Sequence, residues 1–256
     1  MNVKKISYVA SAAMMALLTG CGGGSGAGTG PSVQAAGVYE GGYMTGSSSE
    51  VNGLAVAISN AGRVIGYAPD DNAIFVGTAT QSGANLIASL MTYQITSTTD
   101  YRAEAVGSPA PTSLSGTVLS DKSIQGGFIT NSVTSSYGLN FSTENTSVNK
   151  TVQTLAANFQ GSDVAADVVT NINIDSNGNL TGSDVGGDAC SYEAKISQPT
   201  AGVAVFHLEN AVVTCGTNVQ RGSGVLYYDA NAASIQITIS NSGYALYLTA
   251  MELSQK

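Results

Sequence analysis

The chain has no tryptophan, a single histidine, five prolines and few ions. Each shortage excludes something. General acid–base and nucleophilic catalysis lean on histidine or on a tight carboxylate pair. Here His207 would have to serve any serine or cysteine triad, and no G-x-S-x-G elbow accompanies it. An enzyme is therefore not expected. Charged residues make up 10% of the chain, against about a quarter in an ordinary domain. Nine Lys and Arg face 17 Asp and Glu, a net charge of −8. With no basic patch, nucleic acid is not an expected partner. No pair of cysteines has the close C-x-x-C spacing of a zinc site. Asp175, Asn177 and Asn179 alternate like the first ligands of a calcium loop, but Gly178 falls fourth rather than sixth, and Gly186 stands where the twelfth-position glutamate belongs. A solvated turn is expected there, and no metal or cofactor anywhere.

What fills the chain instead is Gly, Ser, Thr, Asn, Ala and strand-forming aliphatics, with 43% hydrophobic residues. That is enough for one or two packed cores and too much for global disorder. Ala233, Ile235, Ile237 and Ile239 alternate with Ser234, Gln236, Thr238 and Ser240, the period of a half-buried strand. Asn241-Ser242-Gly243 then predicts a turn into a last strand from Tyr244 to Leu253. Val168 to Asp175 is expected to pair with the segment from Asn179 across Ser176-Asn177-Gly178, an Asn-Gly hairpin signal. Further strands are expected over Ala189 to Ile196, Val203 to Leu208 and Gly224 to Tyr228. No segment has sustained helical periodicity, and Val152 to Ala157 is the one candidate for a short helix.

The chain repeats itself. Val38-Tyr39-Glu40-Gly41 matches Asn158-Phe159-Gln160-Gly161. Ile58-Ser59-Asn60-Ala61-Gly62-Arg63-Val64-Ile65-Gly66 matches Ile174-Asp175-Ser176-Asn177-Gly178-Asn179-Leu180-Thr181-Gly182. Ser115-Gly116-Thr117-Val118 matches Ser223-Gly224-Val225-Leu226. The offset is domain-sized, so a duplicated domain is expected, over 36–146 and 152–256, joined by the polar segment Glu144 to Thr151. A meander of about eight short antiparallel strands per unit gives the fold class: all-β, two tandem small β-barrel or β-sandwich domains.

The N-terminus reads as an address. Lys4 and Lys5 precede an apolar run from Ile6 to Leu18 that is too short to span a bilayer, as in a signal peptide over residues 1–20. Leu18-Thr19-Gly20-Cys21 resembles the lipobox of bacterial lipoproteins. That resemblance implies cleavage before Cys21 and lipidation of its thiol and new amine, a stable membrane anchor. Gly22 in place of an aspartate implies the outer membrane. Residues 21–35 then form the lipidated cysteine and linker, whose stretch Gly22 to Pro31 reaches at most about 35 Å. Losing Lys4 and Lys5 brings the net charge near −10. Lipidation leaves Cys190 and Cys215, and an exported pair is expected to be a disulfide; a metal site of both with His207 is the alternative.

The C-terminal half is similar to a recurring proteobacterial lipoprotein domain with a D-x-x-G-x-L-x-G hairpin, a C-x-Y strand and a later cysteine. Here these are Asp175 to Gly182, Cys190-Ser191-Tyr192, and Cys215. The resemblance implies a lipocalin-like barrel, or one like those of transferrin-binding-type surface lipoproteins. The G-x-W opening of lipocalins is replaced by Gly37-Val38-Tyr39. Twelve tyrosines offer contact area at little entropic cost. Tyr192, His207, Tyr227 and Tyr247 are the candidate ligand-binding residues, and Tyr227 and Tyr228 must point to opposite faces. The expected function is a non-catalytic outer-membrane lipoprotein binding a small apolar ligand in a barrel or an envelope protein along its strands. The alternative is a structural, envelope-assembly or adhesin role.

Overall fold

The protein was analysed as a computed structural model that describes residues 35–59, 61–98, 102–105, 109–143, 150–163, 167–186, 189–197, 204–229, 232–240 and 248–256. The signal segment, Cys21, most of the linker, most of the expected join and Tyr247 lie outside the described residues. The chain forms two antiparallel eight-stranded barrels in tandem.

The first barrel contains β1 (Gly37–Thr45), β2 (Asn52–Ile58), β3 (Arg63–Ala68), β4 (Ala73–Ser82), β5 (Asn85–Gln94), β8 (Ala110–Val118), β9 (Ile124–Thr130) and β10 (Val133–Phe141). It closes between β1 and β10 over seven residue pairs, from Tyr39 opposite Phe141 to Thr45 opposite Ser135. Alternation decides which face each residue takes. In β5, Leu86, Ala88 and Leu90 are buried while Ile87, Ser89 and Met91 are exposed. The interior is aromatic at one end. Phe128 meets Tyr43 with centroids 5.3 Å apart and Phe75 at 6.0 Å, both edge-to-face.

The second barrel runs β11 (Ala157–Asp163), β12 (Val168–Ile174), β13 (Asn179–Val185), β14 (Cys190–Ser197), β15 (Val205–Cys215), β16 (Asn218–Asp229), β17 (Ser234–Ser240) and β18 (Leu248–Gln255). The expected strands near Val203 and Gly224 prove to be parts of one long hairpin, β15–β16, with a register shift between Leu208 and Ala211. The expected helix shortens to α1 (Val152–Leu155), capped by Thr151, and Ala157 already belongs to β11. Leu155 is buried in the barrel core. The seam is narrow: β11 pairs with β18 only through Phe159–Gln255 and Gln160–Ser254. The other end of that edge of β18, Leu248 to Met251, pairs with β7 (Arg102–Ala105). β7 forms a small hairpin with β6 (Ser97–Thr98). The first repeat thus lends a hairpin to the second sheet.

The repeat seen in the sequence is a repeat of positions. Tyr39 and Phe159 stand third in each first strand, and both are buried. Each β2–β3 type turn carries one glycine at positive φ, Gly62 at +76° and Gly178 at +79°. Each glycine carbonyl accepts from the fourth strand of its barrel, from the Ala79 N–H at 2.6 Å and the Ile196 N–H at 2.7 Å. A side chain on the third turn residue back fastens each turn: Ser59 Oγ accepts from the Arg63 N–H, and Asp175 Oδ1 from the Asn179 N–H. The third match, Ser115-Gly116 with Ser223-Gly224, falls on the sixth strand of each barrel, β8 and β16.

Candidate functional site

The expected ligand site would be a barrel interior. The first barrel encloses an apolar void of about 10 Å³ between side chains such as Val56, Val64, Leu86 and Tyr137. Pockets for organic ligands run to hundreds of Å³. The second is filled by Phe159, Ile172, Leu180, Tyr192, Phe206, Leu226 and Leu253, each no more than 1% exposed.

Cys190 and Cys215 stand directly opposite each other on β14 and β15 and form a disulfide, Cα to Cα 4.1 Å. Both sulfurs are thereby used, which removes the alternative of a metal site with His207. Among the described residues, no group of three His, Cys, Asp or Glu side chains is placed to hold a metal. The Asp175 segment is a turn. Its carboxylate accepts from the Asn177 and Asn179 N–H groups and from Asn179 Nδ2. Those bonds, with Lys195 nearby, hold its pKa below the usual carboxylate value.

The candidate binding residues are not gathered around one cavity. Tyr192 lies inside the second barrel, where its hydroxyl donates to Asp184 Oδ2 at 2.9 Å, and the Thr170 hydroxyl donates to Oδ1 at 2.5 Å. Such a fully buried carboxylate requires its donors. His207 and Tyr227 project from the outside of the same barrel into a contact with the first one. There Val205, Val225 and Tyr227 pack against Val38 and Ala57, with Ala36 and Ile65 at the edge. His207 Nε2 lies 2.7 Å from Ser59 Oγ, the same hydroxyl that fastens the β2–β3 turn. Burial, followed by the Arg63 charge, lowers the His207 pKa, and Glu209 opposes them. The Tyr227 hydroxyl is buried without a hydrogen-bond partner, and burial and then Asp229 and Glu40 raise its pKa. Tyr228 points the other way, into the barrel core. Both residues are thus part of the joint that fixes one barrel on the other.

A different surface is open to solvent. The strands β4, β5, β8, β9 and β10 contain no Asp, Glu, Lys or Arg. Their outer face carries Ile87 at 59% exposure, Met91 at 45% and Ile129 at 47%, with serine, threonine and glycine between them. One end of this face is covered by the chain's own cluster of Ile74, Tyr93, Tyr67, Val76 and Ile95. The outer strands of the second barrel carry Glu193, Lys195, Glu209 and Arg221. The signal was present in the sequence as a charge-free run from Asn72 to Thr99, resumed from Ala105 to Thr143 apart from Asp121 and Lys122. The low overall charge had concealed it.

No protein-family profile and no curated protein matches the chain. Among solved structures, the chain is similar to the crystal structure of isotype 1 transferrin binding protein B from serogroup B Neisseria meningitidis, with a TM-score of 0.34 and 9% identity over 83% of this chain and 61% of that one. It is also similar to a mutant of the vaccine antigen transferrin binding protein B from Haemophilus parasuis Hp5, with a TM-score of 0.31 and 8% identity over 84% of this chain and 64% of that one. The chain therefore covers less than two thirds of the length of either neighbour.

Proposed function

We propose that this chain is a lipid-anchored, non-catalytic outer-membrane module that works through contact with protein on the outside of its barrels, not by enclosing a small ligand. The observation that carries this reading is the packing of the interiors, with a void of about 10 Å³ where a carrier needs a pocket. An uncharged, partly aliphatic outer face supports it, because exposed apolar patches on soluble domains mark interaction sites. The lipobox motif ending at Cys21 supports the anchor, and the glycine-rich linker would hold the barrels near the membrane surface without embedding them.

Two measurements test the two halves. Native mass spectrometry of the purified chain should give the mass of protein and lipid alone; a further small molecule that leaves on denaturation would overturn the contact reading. Cys21→Ser should move the protein from the membrane fraction to the soluble one. Retention in the membrane would overturn the anchor.

A further inference from the structure

We propose that two copies of this chain pair face to face through β5, β8 and β9 of their first barrels, about a two-fold axis running along β8. The inference rests on the reading of that barrel as a contact module and names its partner.

The register gives the argument. Two adjacent outward rows cross the middle of these strands. In one, Ile87 lies beside Ser115, which lies beside Gly127. In the next, Ser89 lies beside Ser113, which lies beside Ile129. Each row therefore has one isoleucine on one flank of β8, a serine on β8 itself, and a small residue on the other flank, and the isoleucine changes flank from row to row. A two-fold rotation about β8 exchanges the flanks and keeps the rows. It sets Ile87 of one copy over Gly127 of the other, and Ile129 over Ser89, with only Ser113 and Ser115 on the axis in these two rows. A knob meets a hollow at all four places. This is the self-complementarity that an isologous contact requires, and the strands of the two sheets then run aligned, as in sheets packed face to face.

Charge selects the same partner. A protein that brought ions to this face would desolvate them with no counter-ion in the strands to meet them, which is costly. A second copy brings none. Elsewhere two copies repel, since each carries a net charge of −8 before any processing. This neutral face is where they approach without that cost.

The test uses the full chain in intact cells. Ser113→Cys places a thiol beside the axis, and a short bis-maleimide should join two chains into a species of twice the mass. Val219→Cys, also exposed, at 48%, but on the second barrel, should not give that species. Ile87→Lys with Ile129→Lys enters the contact four times by symmetry, so it should weaken pairing on the order of a hundredfold and abolish the cross-link. Both isoleucines are exposed, so the thermal unfolding of the purified variant should match that of the parent. Three results would overturn the proposal: no doubled species from Ser113→Cys, a doubled species that survives the two lysines, or an adduct with another protein in its place. The last would leave the contact reading of the protein standing, whereas a small ligand found by mass spectrometry would not.

Discussion

The two barrels share a strand plan and differ in what secures and covers them. The second is tied by the Cys190–Cys215 disulfide and by the buried Asp184 carboxylate with its Tyr192 and Thr170 donors. Its outer strands carry ions of both signs. The first has no cysteine, packs its end with Tyr43, Phe75, Phe128 and Tyr137, and leaves five consecutive barrel strands without a charge. The barrels agree in what the backbone needs, such as an aromatic in the first strand and a glycine in the second turn. They differ in their outer faces. In this molecule one barrel carries devices of stability and the other presents a surface.

Removing the disulfide should separate the two most. Cys190→Ser with Cys215→Ser opens a loop with a sequence separation of 25 residues and should cost the second barrel about 3.5 kcal/mol in the chain-entropy model. The first barrel should hardly change. Calorimetry would show one transition shifted down and one left in place; a joint shift would mean that the barrels unfold as one unit.

The turn glycines should make the repeats look alike again. At Gly62 an added Cβ would lie 2.2 Å from the Ala79 carbonyl oxygen, and at Gly178 it would lie 2.8 Å from that of Ile196 and 2.6 Å from Val152 Cγ1. Both glycines also hold positive φ, which alanine disfavours. Gly62→Ala and Gly178→Ala should each cost about 2 kcal/mol, each in its own barrel. Denaturant titration of the two variants checks this, and an unaffected Gly178→Ala would show that the turn, α1 and the Ile196 carbonyl all shift to make room.

These glycines were readable from the sequence because a turn is a local device. The same holds for the Cys190–Cys215 pairing, which needed only the count and the expected export. The strand after Ala233 forms as β17, but Ala233 itself is an exposed residue at positive φ just before it, and Ser234 and Thr238 are each 1% exposed, so the strand is buried on both faces rather than half-buried. The hairpin β6–β7 was not readable, since its partner β18 is about 150 residues away and no local pattern names it. His207 and Tyr227 were singled out by residue type. Their place between the barrels depends on which outer faces meet, and hydrophobic alternation tells inside from outside without telling one outside from another. The length of β15–β16 was missed for a related reason: Glu209, Asn210 and Arg221 to Ser223 interrupt the apolar pattern where the strands run on past a bulge.

The joint gives a smaller, pH-dependent effect. His207 has its pKa lowered in the folded chain, so the unfolded chain binds the proton more readily. Its contribution to stability is complete above the unfolded value of about 6.5 and is lost as the pH falls through that value toward the lower folded one. The groups that face it are Ser59, Arg63 and Glu209. Acidification should therefore weaken the barrel–barrel contact slightly, through the desolvated imidazolium and the Arg63 charge beside it. His207→Gln puts a non-titrating amide in place of the imidazole, so the difference in stability between variant and parent should change between pH 8 and 5. A constant difference would show that the imidazole binds its proton equally well in the folded and the unfolded chain.

The smallest effect brings the comparison back to one pair of residues. Tyr39 and Phe159 occupy the same place in the two barrels, and the tyrosine adds a hydroxyl that is buried without a partner. Its burial raises the pKa to about 12, so it is neutral at any ordinary pH and is simply an unsatisfied donor. Leaving such a group unpaired carries a desolvation cost of about 1–3 kcal/mol, and deleting the oxygen leaves a small void that takes part of the gain back. Tyr39→Phe should therefore stabilise the first barrel slightly, by less than about 1 kcal/mol. The reverse change, Phe159→Tyr, forces a hydroxyl into a core already filled by Ile172, Tyr192 and Leu253 and should destabilise the second barrel by more. If both changes destabilised, the Tyr39 hydroxyl would have to be satisfied in solution, and a bound water in the end of the first barrel would account for it.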